Sequence, residues 1–296
     1  MGTTSRVGVA IAVALCCTIG AAAEPAADGG VALRFAWPEK LEGSRVEKRQ
    51  GRSSTELSRR SALRIERRGA ESWLTAKPGT TEEEQAAADR QDPPELPLVA
   101  GADGRFARLD GLDALAEQEA AFQVGLAASK AEADAARKAA RERTARLAAE
   151  AREQWSYQVE AWLGRTLKIG HPLETTGRVP VATVPGLEVE QRVVLAARKW
   201  VSCSPGGLDR ACLELTLKAD AGPEAFRKGL VAAVGKAAKG FEDGSMAVEV
   251  VLVTDPTTLV PWRYSFTRKL RLVFTGRDLS VDQVERLELE YQWWKG

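Results

Sequence analysis

The chain has 296 residues, 44% of them hydrophobic and 28% charged, which is the composition of a soluble globular protein and not of a membrane-embedded or low-complexity one. Lys and Arg number 42 against 41 Asp and Glu; residues 1–23 carry only Arg6, so the remainder is balanced at 41 of each. A neutral chain gives no global field to draw in nucleic acid or an anionic membrane, and its single His, with no clustered Cys, argues against a zinc or haem centre.

Residues 1–23, MGTTSRVGVAIAVALCCTIGAAA, set Arg6 ahead of an apolar run at 7–19 and finish on Ala21-Ala22-Ala23 before Glu24-Pro25. That is the pattern of a secretory signal peptide, with a core too short for a comfortable spanning helix. Residues 24–30 read as a disordered leader. No later stretch approaches 18 uninterrupted apolar residues, so no transmembrane span is expected after cleavage. The Arg- and Ala-rich, Asn-free composition fits a GC-rich bacterial genome, which makes the destination the periplasm, the outer envelope or the medium. Beyond the leader only Cys203 and Cys212 remain, bracketing a Ser-Pro-Gly-Gly turn, and in an oxidising compartment such a pair is expected to form a disulfide.

Val31, Leu33, Phe35 and Trp37 alternate with smaller or polar residues and predict a half-buried strand ended by Pro38. Residues 44–68 hold nine Lys/Arg and three Glu, with Leu63 and Ile65 in strand-like alternation. This basic run reads either as a wet strand face protected by charge or as a surface for an anionic envelope component. Residues 71–76 predict another strand, 80–95 an acidic loop, and 96–109 a hairpin turning on Gly101-Ala102-Asp103-Gly104. Residues 112–163 contain no Pro and a single internal Gly, Gly125, and predict one long helix or a helical hairpin broken near it. The Ala- and charge-rich middle, 127–146, has little to bury.

Strands return after Gly164. Leu187, Val189, Val193 and Leu195 lead to Cys203; Leu213, Leu215 and Leu217 form the return; Phe226, Leu230 and Val234 mark a second, shorter helix opened by Pro223. Met246, Val248, Val250 and Leu252 alternate, Asp255-Pro256-Thr257-Thr258 turns the chain, and Trp262, Tyr264, Phe266, Leu270, Leu272 and Phe274 hold one parity. Leu287, Leu289, Tyr291 and Trp293 close the chain, with Asp282, Glu285, Glu288 and Glu290 assigned to the solvated side of the last strand. No G-x-S-x-G, S-x-x-K, G-x-G-x-x-G or P-loop is present, and His171, alone in a Gly-His-Pro loop, reads as exposed. No catalytic residue, metal ligand or cofactor is expected. The aromatic stripe Trp262, Tyr264, Phe266 supplies the candidate ligand-lining residues, either packed as core or lining a cleft.

The Thr254-Asp255-Pro256-Thr257-Thr258 turn, Pro261 and the alternating strands on either side, together with the Cys203/Cys212 hairpin and Pro180…Pro185-Gly186, resemble exported bacterial β-rich proteins. At a greater distance they resemble the periplasmic lipoprotein carriers of the LolA-like superfamily. That resemblance implies a strongly curved antiparallel sheet, open or half-barrel, folded around helices and able to bind acyl chains on its concave face. The expectation is therefore an α+β chain with one large curved antiparallel sheet over 31–296 and a helical insertion at 112–163. Its expected function is that of a non-enzymatic envelope binding or scaffold protein, partnered by an envelope protein, or alternatively that of a carrier of a lipid or other hydrophobic ligand.

Overall fold

The computed structural model describes residues 29–50, 56–78, 96–181, 187–204, 211–235, 240–275 and 281–294. The signal-peptide reading, the leader up to residue 28 and the acidic loop at 80–95 lie outside the described residues. In chain order the first strands are β1 (Gly30–Ala32), β2 (Lys40–Gln50), β3 (Glu56–Arg68), β4 (Glu71–Pro78), β5 (Leu98–Ala100) and β6 (Phe106–Leu109). Helices α1 (Leu112–Gly125) and α2 (Lys130–Gln158) follow, then β7 (Thr166–Lys168), β8 (Leu173–Pro180), β9 (Glu188–Ser202) and β10 (Ala211–Ala221). Helix α3 (Pro223–Val234), β11 (Phe241–Thr254), β12 (Pro261–Phe274) and β13 (Val281–Trp294) complete the fold.

The architecture is α+β and antiparallel throughout. One meander, β2 to β6, and a second, β8 to β13, join where β13 pairs with β2, from Arg286 opposite Gln50 to Trp294 opposite Glu42. The result is an open eleven-stranded sheet in the order β6-β5-β4-β3-β2-β13-β12-β11-β10-β9-β8. One face carries the core. Alternate residues of the second meander, among them Val189, Leu195, Leu215, Leu217, Val248, Val250, Leu252, Leu270 and Leu272, are at most 2% exposed. The other face is mostly charged and solvated, as the period-2 pattern requires when only one side is covered.

The insertion is a helical hairpin. Ser129 starts α2, its Oγ accepting from the Glu132 N–H at 3.2 Å while the Glu132 carboxylate accepts from the Ala128 N–H at 2.7 Å. This reciprocal satisfaction of free N–H groups ends α1 and restarts the chain in the opposite direction. The Ala-rich half of α2 docks on α1 through Ala140 and Thr144, both buried, and an Arg143–Glu119 ion pair at 3.4 Å. The second half of α2 turns inward: Trp155, Tyr157, Val159 and Trp162 are 0–3% exposed. The Trp155 indole donates to the Gly104 carbonyl at 2.9 Å and the Trp162 indole to the Tyr157 carbonyl at 2.9 Å. Among the described residues no helix is long and apolar enough to cross a membrane.

Helix α3 covers the other end of this face with Phe226 (0% exposed) and Leu230 (3%). It approaches so closely that a Cβ on Gly229 would run into the Glu188 carbonyl and lie 2.9 Å from Leu187 Cδ1.

Two expectations change. The 31–37 strand is regular only at β1, which pairs with β7 and not with the main sheet. Leu33, Arg34 and Ala36 then donate their N–H groups to the carbonyls of Arg165, Pro256 and Thr258 at 2.8, 2.9 and 3.2 Å. Burial still alternates there, because an extended chain alternates whether or not it has strand partners. The helix opened by Pro223 runs to Val234 as α3, with Gly235, at positive φ, as its C-cap. The parity of β12 also breaks, because a register shift at Val253/Thr254 detaches Trp262 from the alternation of Tyr264 and Phe266. Trp262 packs instead with Val253, Val201 and the Cys203–Cys212 disulfide, a cluster separate from the main core.

Candidate functional site

The covered face is not uniformly packed. Across β8–β12 it is closed, but across β2–β6 Leu74, Ala76, Leu96, Leu98 and Leu109 face inward and stay half-exposed. Two cavities occupy this part, beneath the second half of α2. The larger, about 370 Å³, is lined by Arg45, Glu47, Arg49, Arg59, Glu150, Glu153, Arg268 and Glu285, with Tyr264, Phe266 and Leu287 at its base. The smaller, about 180 Å³, is lined mainly by Leu74, Ala76, Leu96, Leu98, Leu109 and Trp155. They share Arg45, Leu96, Leu109, Ala151 and Gln154, so they form one groove with a charged chamber opening into an apolar one.

The pleat explains the charged lining. On β2 the odd positions point to the helix side, and these are Arg45, Glu47 and Arg49; register sets Glu47 opposite Leu289 on one side and Arg59 on the other. Arg268 lies opposite Glu285 between β12 and β13. Its guanidinium donates to both Glu153 oxygens at 2.7 and 2.8 Å and to Glu285 at 2.7 Å. A looser sequence continues over β13 and β2: Arg49 is 4.0 Å from both Glu285 and Glu47, and Arg45 is 3.3 Å from Glu47. Opposite charges thus alternate from the helix to the first meander.

One guanidinium between two carboxylates decides the protonation of the group. Burial works against the Arg268 cation, but Glu153 and Glu285 outweigh it and hold its pKa up. Burial of Glu153 raises its carboxyl pKa even though Arg268 opposes the shift, and Glu285 and Glu150 add to it. Burial likewise lifts Tyr157, Tyr264 and Tyr291, which therefore stand as neutral phenols. Tyr157 donates to Gln191 at 3.3 Å and the Gln158 amide donates to the Tyr291 oxygen at 2.9 Å. The Tyr264 hydroxyl, fully buried beside the charged chamber, has no hydrogen-bond partner among the described residues.

Of the three aromatic residues singled out in the sequence, Tyr264 and Phe266 line the groove and Trp262 does not. Phe266 packs on Tyr157 of α2 with ring centroids 5.8 Å apart. Glu285, assigned from sequence to the solvated side of β13, belongs to the covered face, whereas Asp282, Glu288 and Glu290 are exposed. Its parity with Leu287, Leu289 and Tyr291 was the available signal, as was that of Arg268 with Phe266 and Leu270. The basic run divides between faces: Arg45, Arg49 and Arg59 enter the groove, and Lys48, Arg60 and Arg64 point outward. His171 is exposed in the turn after β7. No protein-family model matches the chain, and no curated protein matches it either.

Proposed function

We propose that this is a non-enzymatic binding protein of the bacterial envelope, exported from the cytoplasm, whose ligand occupies the groove beneath α2. The observation that carries the reading is the direct continuity of a charged and an apolar chamber, a lining suited to a small ligand with one polar and one apolar end. The charged chamber has the volume of an ordinary small-molecule site; the apolar one suits a ring or short chain better than a multi-chain lipid. Arg268, Glu153 and Glu285 are engaged with one another and the Tyr264 phenol is held neutral, which supports recognition over acid–base or nucleophilic work. Export is supported by the signal-peptide pattern and by the Cys203–Cys212 bond, since such bonds persist in oxidising compartments.

The reading includes a sheet curved round α2. Trp155, Tyr157 and Gln158 fall within about one turn of helix, yet they bond to the β5–β6 turn, β9 and β13. A flat sheet would separate β5 from β9 by eight strand spacings, about 38 Å, far more than a helix ~10–12 Å across can bridge. The alternative, a carrier of a hydrophobic ligand, draws support from the half-exposed Leu74, Leu98 and Leu109.

Native mass spectrometry of protein recovered from the envelope of the producing cell tests the proposal. A small adduct on the wild type that is missing from Ala151→Trp, which fills the junction of the chambers, is the expected result. A multi-acyl lipid adduct would favour the carrier reading. A wild type without adduct that also fails to bind small amphipathic molecules would overturn both.

A further inference from the structure

The solvated face of the sheet carries a second, separate pocket. Register aligns Arg263, Glu290, Val46 and Arg60 in one row across β12, β13, β2 and β3. The register shift that detaches Trp262 from the covered face brings its indole to the end of this row. Trp262, Arg263, Ser44, Arg60 and Gln292, with Glu290, Tyr291 and Val46, line a cavity of about 150 Å³. It shares Tyr291 with the smaller chamber of the groove, and no residue of α2 contributes to it.

The indole N–H of Trp262 and the Nε–H of Arg263 are both buried and have no acceptor among the described residues. Buried N–H groups are almost always paired, so two adjacent orphans behind the wall of one cavity mark a place short of acceptors. Glu290 stands across from Arg263 in register, yet no ion pair within 4.0 Å joins them. The wall is rich in donors: an indole N–H, two guanidinium groups and the Ser44 hydroxyl. Guanidinium forks match the geometry of carboxylate and phosphate oxygens, and a neutral indole N–H can serve only as a donor.

We propose that this pocket binds an oxyanion, a carboxylate or phosphate group. The oxyanion accepts from the guanidinium groups of Arg263 and Arg60, beside the Trp262 indole. The β-bulge at Val253/Thr254 is then a functional feature, because without it Trp262 would follow Tyr264 and Phe266 to the other face.

The test is a two-dimensional ¹⁵N–¹H titration of the eight indole resonances of the intact protein, with Trp262 assigned by its loss in Trp262→Phe. Inorganic phosphate and acetate are titrated separately, so that the two sources of oxyanion are told apart. A saturable shift of the Trp262 indole with one of them, with a dissociation constant in the millimolar range or tighter, is expected. Arg263→Gln should abolish it, and Arg60→Gln, at an exposed position, should weaken binding about tenfold, or 1.4 kcal/mol. Ala151→Trp should leave it unchanged. No saturable shift with either anion, or a shift preserved in both arginine variants, would overturn the proposal. So would a Trp262 shift in Glu290→Gln without added anion, since Glu290 would then be the internal acceptor.

Discussion

Arg268 joins α2 to the sheet through two hydrogen bonds to Glu153 and makes a third to Glu285 of β13, in a place where its side chain is only 8% exposed. Buried ion pairs seldom repay their desolvation, but removing one partner strands the others. Arg268→Met, which leaves Glu153 and Glu285 without their cation, should therefore cost about 3–5 kcal/mol in denaturant unfolding. Glu153→Gln keeps a hydrogen-bonding partner for Arg268 and should cost far less. The raised pKa of Glu153 fixes the sign of its pH dependence. The folded state holds this proton more tightly than the unfolded chain, so its contribution is fully present at low pH and is lost as pH rises through the raised value. Wild type should thus lose stability relative to Glu153→Gln from the ordinary carboxylate range towards neutrality; a difference that does not change with pH would contradict this. Tyr264→Phe removes a hydroxyl that has no partner among the described residues. It should be neutral or stabilising by about 1 kcal/mol in ligand-free protein, and a loss of similar size would mean that the hydroxyl is satisfied. Neither Glu153 nor Arg268 was legible as a site residue, because their meaning depends on a helix and a strand 115 residues apart.

At the scale of elements, the helical hairpin has two characters within one helix. Along residues 130–146 of α2 Ala140 and Thr144 are the buried residues among the described ones, whereas Glu153, Trp155, Tyr157 and Gln158 are all buried at its other end. Hydrogen exchange should be fast near the 126–129 turn, slower along the second half of α2, and slowest in β11. Uniform strong protection would mean that the outer half docks on something else. Helix α3 offers a sharper test. Gly229→Ala presses a methyl into the Glu188 carbonyl and Leu187, and overpacking of this kind should cost about 1–3 kcal/mol, against the gain a solvent-facing Gly→Ala gives in a helix. The strands were largely legible from period-2 burial, and the helices from composition. The break at 126–129 was less so: Gly125 drew attention, but the restart is set by the Ser129-x-x-Glu132 capping pattern. The place of Trp262 was not legible at all, since a one-residue bulge leaves no mark in the hydrophobic pattern of β12.

On the scale of the whole molecule, the pairing of β13 with β2 brings the basic first meander beside the apolar second one. A closed core then covers one half of the face and an unfilled, partly charged groove the other. The meanders could be read separately from the sequence; their union and the groove it creates are long-range facts. The central claim is that this groove receives a small ligand with a charged end and an apolar end. Fluorescence titration with 1-anilinonaphthalene-8-sulfonate, an aromatic anion of that design, tests it directly. The account predicts saturable one-to-one binding that disappears in Ala151→Trp at unchanged melting temperature and survives in Trp262→Phe; absence of saturable binding, or undiminished binding in a folded Ala151→Trp, would contradict it.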